Sequence, residues 1–493
     1  MSEYEREARR QRLEARRGAG IDPFPARVGA YTPLGDVRRI HGEKDGDTLE
    51  AEAIEVAVCG RVIAHRSFGK LVFVDLREDG ETIQVSGRKQ TLDAETFGHL
   101  KECDVGDFLR VEGVLWRTRS DELTVDARAV DLLAKALRPM PEKWHGLVDV
   151  ETRYRQRYLD LLVNKDARRI ALVRSRATSA LRGFLDGRGF LEVETPVLQP
   201  LYGGAAARPF QTHYNALDQD LFLRISDELY LKRLVVGGLD RVYEIAHNFR
   251  NEGISFKHSP EFTMMECYQA YADYLDMMEL VQGLVQHVVQ ETLGELSITW
   301  RDTSIDFSGD WPRISMRDAI LEATDGELDV LADDDWHARQ QALRQRGVDV
   351  REQPTWATFV DEVFSVLVEP KLEQPTFVVN HPAELSPLAK RSPDDPRLVE
   401  RFELFAGGIE LANAFSELND PDDQRLRFEE QRDAAAEGDD EAHPLDEDYL
   451  VALEHGMPPT GGLGVGIDRL VMLLTGASHI RETILFPQLR DRG

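Results

Sequence analysis

Cysteine is scarce: Cys59, Cys103 and Cys267 stand far apart in a chain of 493 residues. None has C-x-x-C spacing, so neither a disulfide framework nor a thiolate zinc site is indicated. Long apolar runs are missing as well, and none approaches the ~20 residues that a bilayer-spanning helix needs. The first residues are rich in Arg and Glu and lack the apolar core of a secretory signal. These absences point to a cytoplasmic protein with no membrane partner. Internal repeats and low-complexity tracts are absent too. What remains is ordinary for a soluble globular protein, with 42% hydrophobic and 30% charged residues, and the length allows two or three domains.

Positive charge is also in deficit. The net charge of −29 argues, as a total, against a nucleic-acid partner, because phosphate binding needs local positive charge. Distribution matters more than the total. Residues 1–27 hold seven Arg against five acids, while 418–448 is crowded with Asp and Glu. A basic patch on an acidic body therefore stays open. Residues 3–17 have helical composition and end at Gly18 and Gly20, suitable C-cap positions. This arm reads either as a solvated amphipathic helix or as arginines touching RNA backbone.

The most informative stretch runs from Arg241 to Tyr274. Alternating apolar residues lead to Phe249-Arg250-Asn251-Glu252, and a polar loop with Gly253, Lys257 and His258 follows. Alternation then resumes from Glu261 to Glu266. The pattern predicts two antiparallel strands joined by a loop. An Arg fork there could grip a phosphate and a carboxylate in one plane, and Phe262 could face a purine. Taken alone, the segment is equally a basic hairpin with a buried aromatic.

Phe-Arg-Asn-Glu followed by His-x-Pro-Glu-Phe resembles motif 2 of the class II aminoacyl-tRNA synthetases. Glu228-Leu229-Tyr230-Leu231-Lys232-Arg233-Leu234 and Ala270-Tyr271-Ala272-Asp273-Tyr274 narrow the likeness to the lysyl-tRNA synthetases. Phe190–Pro196 looks like motif 1, whose usual role is a homodimer interface. Gly461-Gly462-Leu463-Gly464-Val465-Gly466-Ile467-Asp468-Arg469 looks like motif 3. The resemblance extends from about Arg6 to Arg490. It implies ATP-dependent ligation of L-lysine to the 3′ end of tRNA(Lys) through a lysyl-adenylate. Arg250 and Arg469 would be catalytic, and Glu252, His258, Phe262, Glu403 and Glu410 would complete the ATP site. Gly204, Glu228, Glu266, Tyr268, Asn413, Phe415 and Glu417 would form the lysine pocket.

Five strand-like runs from 54 to 127, with one longer connection at 89–107, suggest an OB barrel. Such barrels stack single-stranded bases on aromatics. On periodicity, Phe73 is a core residue. The resemblance instead makes Arg66, Phe73, Gln84 and Glu122 anticodon-reading positions.

Glu403, Glu410 and Glu417 recur every seven residues, as on a helix face, but Gly407-Gly408 is a hairpin signal. In a two-residue hairpin Glu410 sits opposite Phe405, and Glu403 becomes its diagonal neighbour. The two carboxylates would repel without a cation, and Mg²⁺ suits that need. Strict alternation would send Asn413, Phe415 and Glu417 to the other face. A bulge between 410 and 413 is therefore expected.

The chain departs from the family pattern at Asp227 (usually Pro), Ala246-His247, Ser259 and Ala414. Ala414 is expected to place a methyl beside the amino-acid pocket, and no chemistry is evident in 275–380. The fold class expected is α+β. It comprises a helical arm (1–50), a five-stranded OB-fold barrel (51–134), a linker (135–165) and a catalytic domain of antiparallel sheet flanked by helices (166–493).

Overall fold

The computed structural model describes residues 3–141, 147–331, 335–353, 355–437 and 444–491. The chain divides into two units, 1–146 and 147–493. The division lies within the stretch expected as a linker, of which 142–146 fall outside the described residues.

In the first unit, β1 (Glu55–Ser67), β2 (Leu71–Glu78), β3 (Glu81–Arg88), β4 (Phe108–Arg117) and β5 (Leu123–Ala134) close into a barrel in the order β1-β2-β3-β5-β4. Only β3 and β5 run parallel. Alternation fills the interior: Val72, Val74, Leu76, Ile83 and Val85 are fully buried. The long β3–β4 connection carries a helix, Ala94–Glu102, which buries Phe97 and Leu100. The helix Glu3–Gly18 buries Arg9, Leu13 and Arg16, residues on one stripe. Arg9 donates to the carbonyls of Val105 (3.1 Å) and Ala136 (3.0 Å), and Arg12 forks onto Asp104 at 3.0 and 2.7 Å. Those arginines hold the arm within its own unit.

The second unit contains β6 (Leu191–Glu192), β7 (Leu198–Gln199), β8 (Gln211–Tyr214), β9 (Gln219–Leu223), β10 (Arg241–Phe249) and β11 (Glu261–Ala270). Then come β12 (Ser297–Trp300), β13 (Thr303–Asp306), β14 (Arg313–Ser315), β15 (Thr376–Pro382), β16 (Leu398–Ala406), β17 (Ile409–Ser416) and β18 (Thr460–Gly466). Eight of these form one sheet, ordered β14-β15-β16-β17-β18-β11-β10-β6. It is antiparallel except at its two edges. One face packs on the helices Lys165–Asp186, Tyr274–Leu293 and Ile467–Thr475, which bury Val173, Leu181, Val281, Val285, Val471 and Leu474 against Met265, Cys267 and Leu463. The other face is where the site lies. Residues 150–163 form two short helices of this unit, and Arg157 (2% exposed) donates to the carbonyls of Arg481, Ile484 and Leu485. Cys59, Cys103 and Cys267 are buried and free.

Candidate active site

The β10–β11 hairpin pairs Phe249 with Glu261, and the Arg250 amide closes it on the Pro260 carbonyl at 2.9 Å. Arg250 leaves the strand at that point, with its guanidinium 5.1 Å from the Phe262 ring centre. Along β11 the pleat sends Met265 and Cys267 into the core and Phe262, Met264, Glu266 and Tyr268 to the opposite face. In the loop, His258 Nδ1 meets the Ser255 hydroxyl at 2.8 Å. Burial in the cleft, then the charges of Arg469, Lys257 and Arg250, lower the His258 pKa, so this ring is neutral at working pH.

Gly407 and Gly408 both have positive φ (63° and 69°), the requirement of a two-residue hairpin turn. In the β16–β17 ladder Phe405 pairs with Glu410, but Leu404 pairs with Ala412 and Glu403 with Asn413. Leu411 is the extra residue. The expected bulge therefore falls between 410 and 413 and turns Glu410, Asn413, Phe415 and Glu417 to one side. Arg469 follows β18 on a helix and donates Nη1 to Glu410 Oε2 at 2.8 Å.

The helix Glu228–Val236 starts beneath this face. Gly204, in the small-residue stretch Gly203-Gly204-Ala205-Ala206-Ala207, has φ 87°, and a Cβ there would come within 2.9 Å of Ser226 and Glu228. Ser226 Oγ donates to Glu266 Oε1 at 2.9 Å, and Tyr268 OH to Glu266 Oε2 at 3.2 Å. Gly204, Glu228, Arg250, Glu252, His258, Phe262, Glu266, Tyr268, Glu403, Glu410, Asn413, Phe415, Glu417 and Arg469 all line one cavity of about 660 Å³. Every candidate in this unit is thus brought together.

On the barrel, Phe73 alternates with the buried Val72 and Val74, so its ring lies on the outer face. The core reading of this Phe does not hold. Arg66 stands across from Phe73 and forks onto Asp75 at 2.9 and 2.8 Å. Asp75 stands across from Gln84, whose Oε1 accepts from Thr124 at 3.1 Å. Arg66, Phe73 and Gln84 thus share one outward surface. Glu122 is exposed just before the start of β5, with a carboxylate 3.7 Å from Arg38.

Residues 149–490 match the family of class II tRNA synthetases (D, K and N). The chain belongs to the class II tRNA synthetases. Residues 56–133 match the OB-fold nucleic-acid-binding domains. The chain is 50% identical to a lysine–tRNA ligase of Dehalococcoides mccartyi over 99% of its own length and 98% of the relative's. It is 51% identical to one of Chloroflexus aurantiacus, covering 98% of each. Against one of Bacillus subtilis it is 48% identical, over 99% of this chain and 97% of that one.

Four features of this synthetase correct or extend the sequence reading. Ala414 pairs with Phe402 and Leu463 in the hydrophobic core, so its methyl faces away from the pocket. The segment 275–380 does contribute: Met316, Thr358 and Asp361 line the cavity. Burial, then the charge of Glu403, pushes the Asp361 carboxyl up to about 7. Glu403 does not depend on a metal for its charge balance, since Arg401 Nη2 lies 2.6 Å from it and Arg469 serves Glu410. Arg401 also donates to Asn413 Oδ1 (3.0 Å) and Ser386 Oγ (2.8 Å). Its place two residues before Glu403 on one strand was the signal for it. Lys232, in the quoted Glu-Leu-Tyr-Leu-Lys run, carries the fourth feature. It is fully buried, with its Nζ between Glu228 (2.5 Å) and Glu417.

Proposed function

We infer that this protein is a lysine–tRNA ligase. The observation that carries the amino-acid assignment is the convergence of Glu228, Glu266 and Glu417 in one cavity with Tyr268 and Phe415. A lysine zwitterion brings two ammonium groups, and buried charge requires paired, hydrogen-bonded partners. Aspartyl or asparaginyl ligases of the same architecture are the nearest rivals. An acidic side chain would need a free cation there, whereas the Lys232 ammonium is already shared by two carboxylates.

Two steps follow. The lysine carboxylate attacks the α-phosphorus of ATP and pyrophosphate leaves. The terminal ribose hydroxyl of tRNA(Lys) then attacks the lysyl carbonyl, and AMP leaves. No side-chain nucleophile is needed, so the chain's contribution is positioning and charge neutralisation. Arg250 would bridge the α-phosphate and the lysine carboxylate, and its stacking distance from Phe262 leaves a ring face for adenine. Arg469 would meet the outer phosphates, with Glu252 and His258 on the loop that covers ATP. Glu417 and Glu266, with Tyr268, suit the ε-ammonium and Glu228 the α-ammonium. Asn413 accepts from Arg401 through Oδ1, which leaves its amide N–H to donate to the lysine carboxylate. Phe415 suits the aliphatic stem, and Gly204 allows close approach of the backbone.

Glu403 and Glu410 would hold Mg²⁺ together with ATP phosphates. The residues fit: against the cost of burial, Arg401 and His381 hold the Glu403 carboxyl down to about 2. Among the described residues no group of three or more His, Cys, Asp or Glu side chains could hold a metal. An ion held by Glu403 and Glu410 would complete its shell with substrate phosphates. When bound, it would neutralise phosphate charge.

Arg66, Phe73, Gln84 and Glu122 would read the anticodon. A homodimer through motif 1 is supported by the half-exposed Leu191 on β6, an edge strand of the large sheet. A cytoplasmic location accords with the family; among the described residues no helix is long and apolar enough to cross a membrane. The test is ATP–pyrophosphate exchange over all twenty amino acids. Exchange confined to lysine is expected, and exchange driven by aspartate or asparagine would overturn the assignment.

A further inference from the structure

Lys232 is the least expected group in the pocket. Its helix begins at Glu228 and its side chain is fully buried. The Nζ lies 2.5 Å from Glu228 Oε1 and forms an ion pair with Glu417 Oε2. It also sits 5.6 Å from the Phe415 ring centre and 6.0 Å from that of Tyr268, within cation–π reach. An ammonium belonging to the protein is therefore surrounded by the groups assigned above to the substrate's ammonium groups. Each carboxylate gives it one oxygen. Both Glu417 oxygens are buried with no hydrogen-bond donor among the described residues; Oε2 meets Lys232 as an ion pair and Oε1 has no such partner there.

The charge count gives this arrangement a purpose. Arg401 also acts on Glu228 but is paired with Glu403; Glu228, Glu266 and Glu417 then face Lys232 and Arg250, which leaves one negative charge unbalanced. A lysine zwitterion carries one net positive charge. Without Lys232 the same three carboxylates would crowd with Arg250 alone, and one of them would take up a proton to relieve the repulsion. Burial raises both Glu228 and Glu417, and on each the Lys232 charge is the strongest opposing influence. The other titratable groups facing this ammonium are Tyr268 on β11 and Tyr449 on the helix Glu447–Glu454. Burial raises both phenols, so they stay neutral. Asp227, at the start of the Lys232 helix, is raised well above the usual carboxylate value by burial and by Glu266.

We propose that Lys232 is a positioning residue for amino-acid selection. It acts as a fixed internal ammonium that keeps Glu228 and Glu417 charged and apart, so that each offers its second oxygen to one ammonium of substrate lysine. This rests on the lysine–tRNA ligase reading. The residue touches no reacting atom and acts only through the two carboxylates.

Lysine-dependent pyrophosphate exchange by the wild-type protein is measured first. Its absence defeats the ligase reading, whatever Lys232 does. Next, Lys232→Met keeps an unbranched side chain and removes the charge. The expected result is a lysine KM raised about 30-fold or more at pH 7, as for a broken buried charge pair, with the ATP KM within about threefold. The mutant's lysine KM should fall as pH rises, because binding must displace the acquired proton, and wild type should lack this dependence. Adding Glu228→Gln, which restores the charge balance, should flatten the mutant's profile. A folded Lys232→Met protein with wild-type lysine KM and pH profile, altered only in Tm, would reduce Lys232 to packing. Should the variant not fold, wild type alone still decides. Calorimetric titration with lysine at pH 7 in two buffers of different ionisation enthalpy counts the protons exchanged. No proton release is expected, and release of about one proton would show that the carboxylates are not held charged and would overturn the proposal.

Discussion

Glu403 stands directly across the β16–β17 ladder from Asn413. A hairpin of strict alternation would have set it opposite Ala412. The one-residue shift at Leu411 decides which side chains share the cavity. Without it, Asn413, Phe415 and Glu417 would turn into the core that now holds Ala412 and Ala414. With it, the carboxylates assigned to the metal and those assigned to lysine lie on one side of one sheet. Arg401 ties the two halves together by reaching both Glu403 and Asn413.

Arg250→Ala is expected to abolish adenylate formation without unfolding the protein. The side chain is half-buried over Phe262 and, among the described residues, its one hydrogen bond is a long 3.4 Å contact to the Ile225 carbonyl, so little of the fold hangs on it. A preorganised donor of this kind contributes roughly 10²–10³-fold to turnover. Pyrophosphate exchange in a mutant with native circular dichroism checks this, and near-normal exchange would rule Arg250 out as the clamp.

Phe73→Ala and Gln84→Ala are expected to weaken tRNA charging while sparing pyrophosphate exchange. Both side chains lie on the outer barrel face, and losing one base–aromatic stack costs about 1–3 kcal/mol. Since the Phe73 ring is outside the barrel core, its loss should leave the melting temperature within a few degrees. A parallel fall in exchange and charging would refute the anticodon role.

Much of this was legible locally. Gly407-Gly408 announced a turn that only positive φ allows, and the alternation around Phe262 announced its strand. The Phe73 face was not legible from periodicity, because a barrel strand has two faces and the pattern does not say which is inward. Lys232 and Arg401 each had one partner within their own segment, Glu228 and Glu403, and were otherwise hidden for another reason. Their other partners, Glu417 for the one and Asn413 for the other, come from a helix meeting a strand end and from a bulged register. Neither relationship is visible in spacing along a single segment. Asp361 was hidden likewise, since its largely apolar helix, Trp356–Leu367, shows no motif and reaches the cavity only through tertiary packing.

Asp227 yields a pH-dependent stability prediction. It is fully buried, one oxygen has no hydrogen-bond partner among the described residues, and burial followed by the charge of Glu266 raises its carboxyl well above the usual value. A raised carboxyl means that the folded state holds the proton more tightly than the unfolded chain. Its contribution is therefore complete below the unfolded carboxyl value of about 3.9 and is lost as pH rises toward the folded value. Asn mimics the protonated form at every pH. Asp227→Asn should thus raise stability at pH 8 by about 1–3 kcal/mol and change it little near pH 4. Denaturant unfolding at both values checks the slope, and an equal effect at the two would mean that Asp227 is ionised in the fold.

Gly462→Ala tests the lysine pocket by volume instead of charge. Gly462 lies on β18 across from Tyr268 on one side and Phe415 on the other. A Cβ built there would lie 1.9 Å from Glu417 Oε1 and 2.6 Å from Tyr268 Cε1. Glu417 cannot swing away freely, because Lys232 holds its other oxygen. The Tyr268 ring is equally confined, being 3% exposed in a strand between β10 and β18. The added methyl must therefore displace the carboxylate from its place over the glycine. Overpacking of this kind costs about 1–3 kcal/mol, or roughly 5- to 150-fold in lysine KM. The ATP KM should change much less, since Arg250, Phe262 and Arg469 are not among the atoms the methyl meets. Comparing lysine with 2-aminohexanoate, which lacks the ε-amino group, separates the two contributions. Wild type should favour lysine strongly, and Gly462→Ala should narrow that preference as Glu417 is moved. A mutant that keeps the full preference and the wild-type lysine KM would show that the ε-ammonium is read somewhere other than beside Gly462.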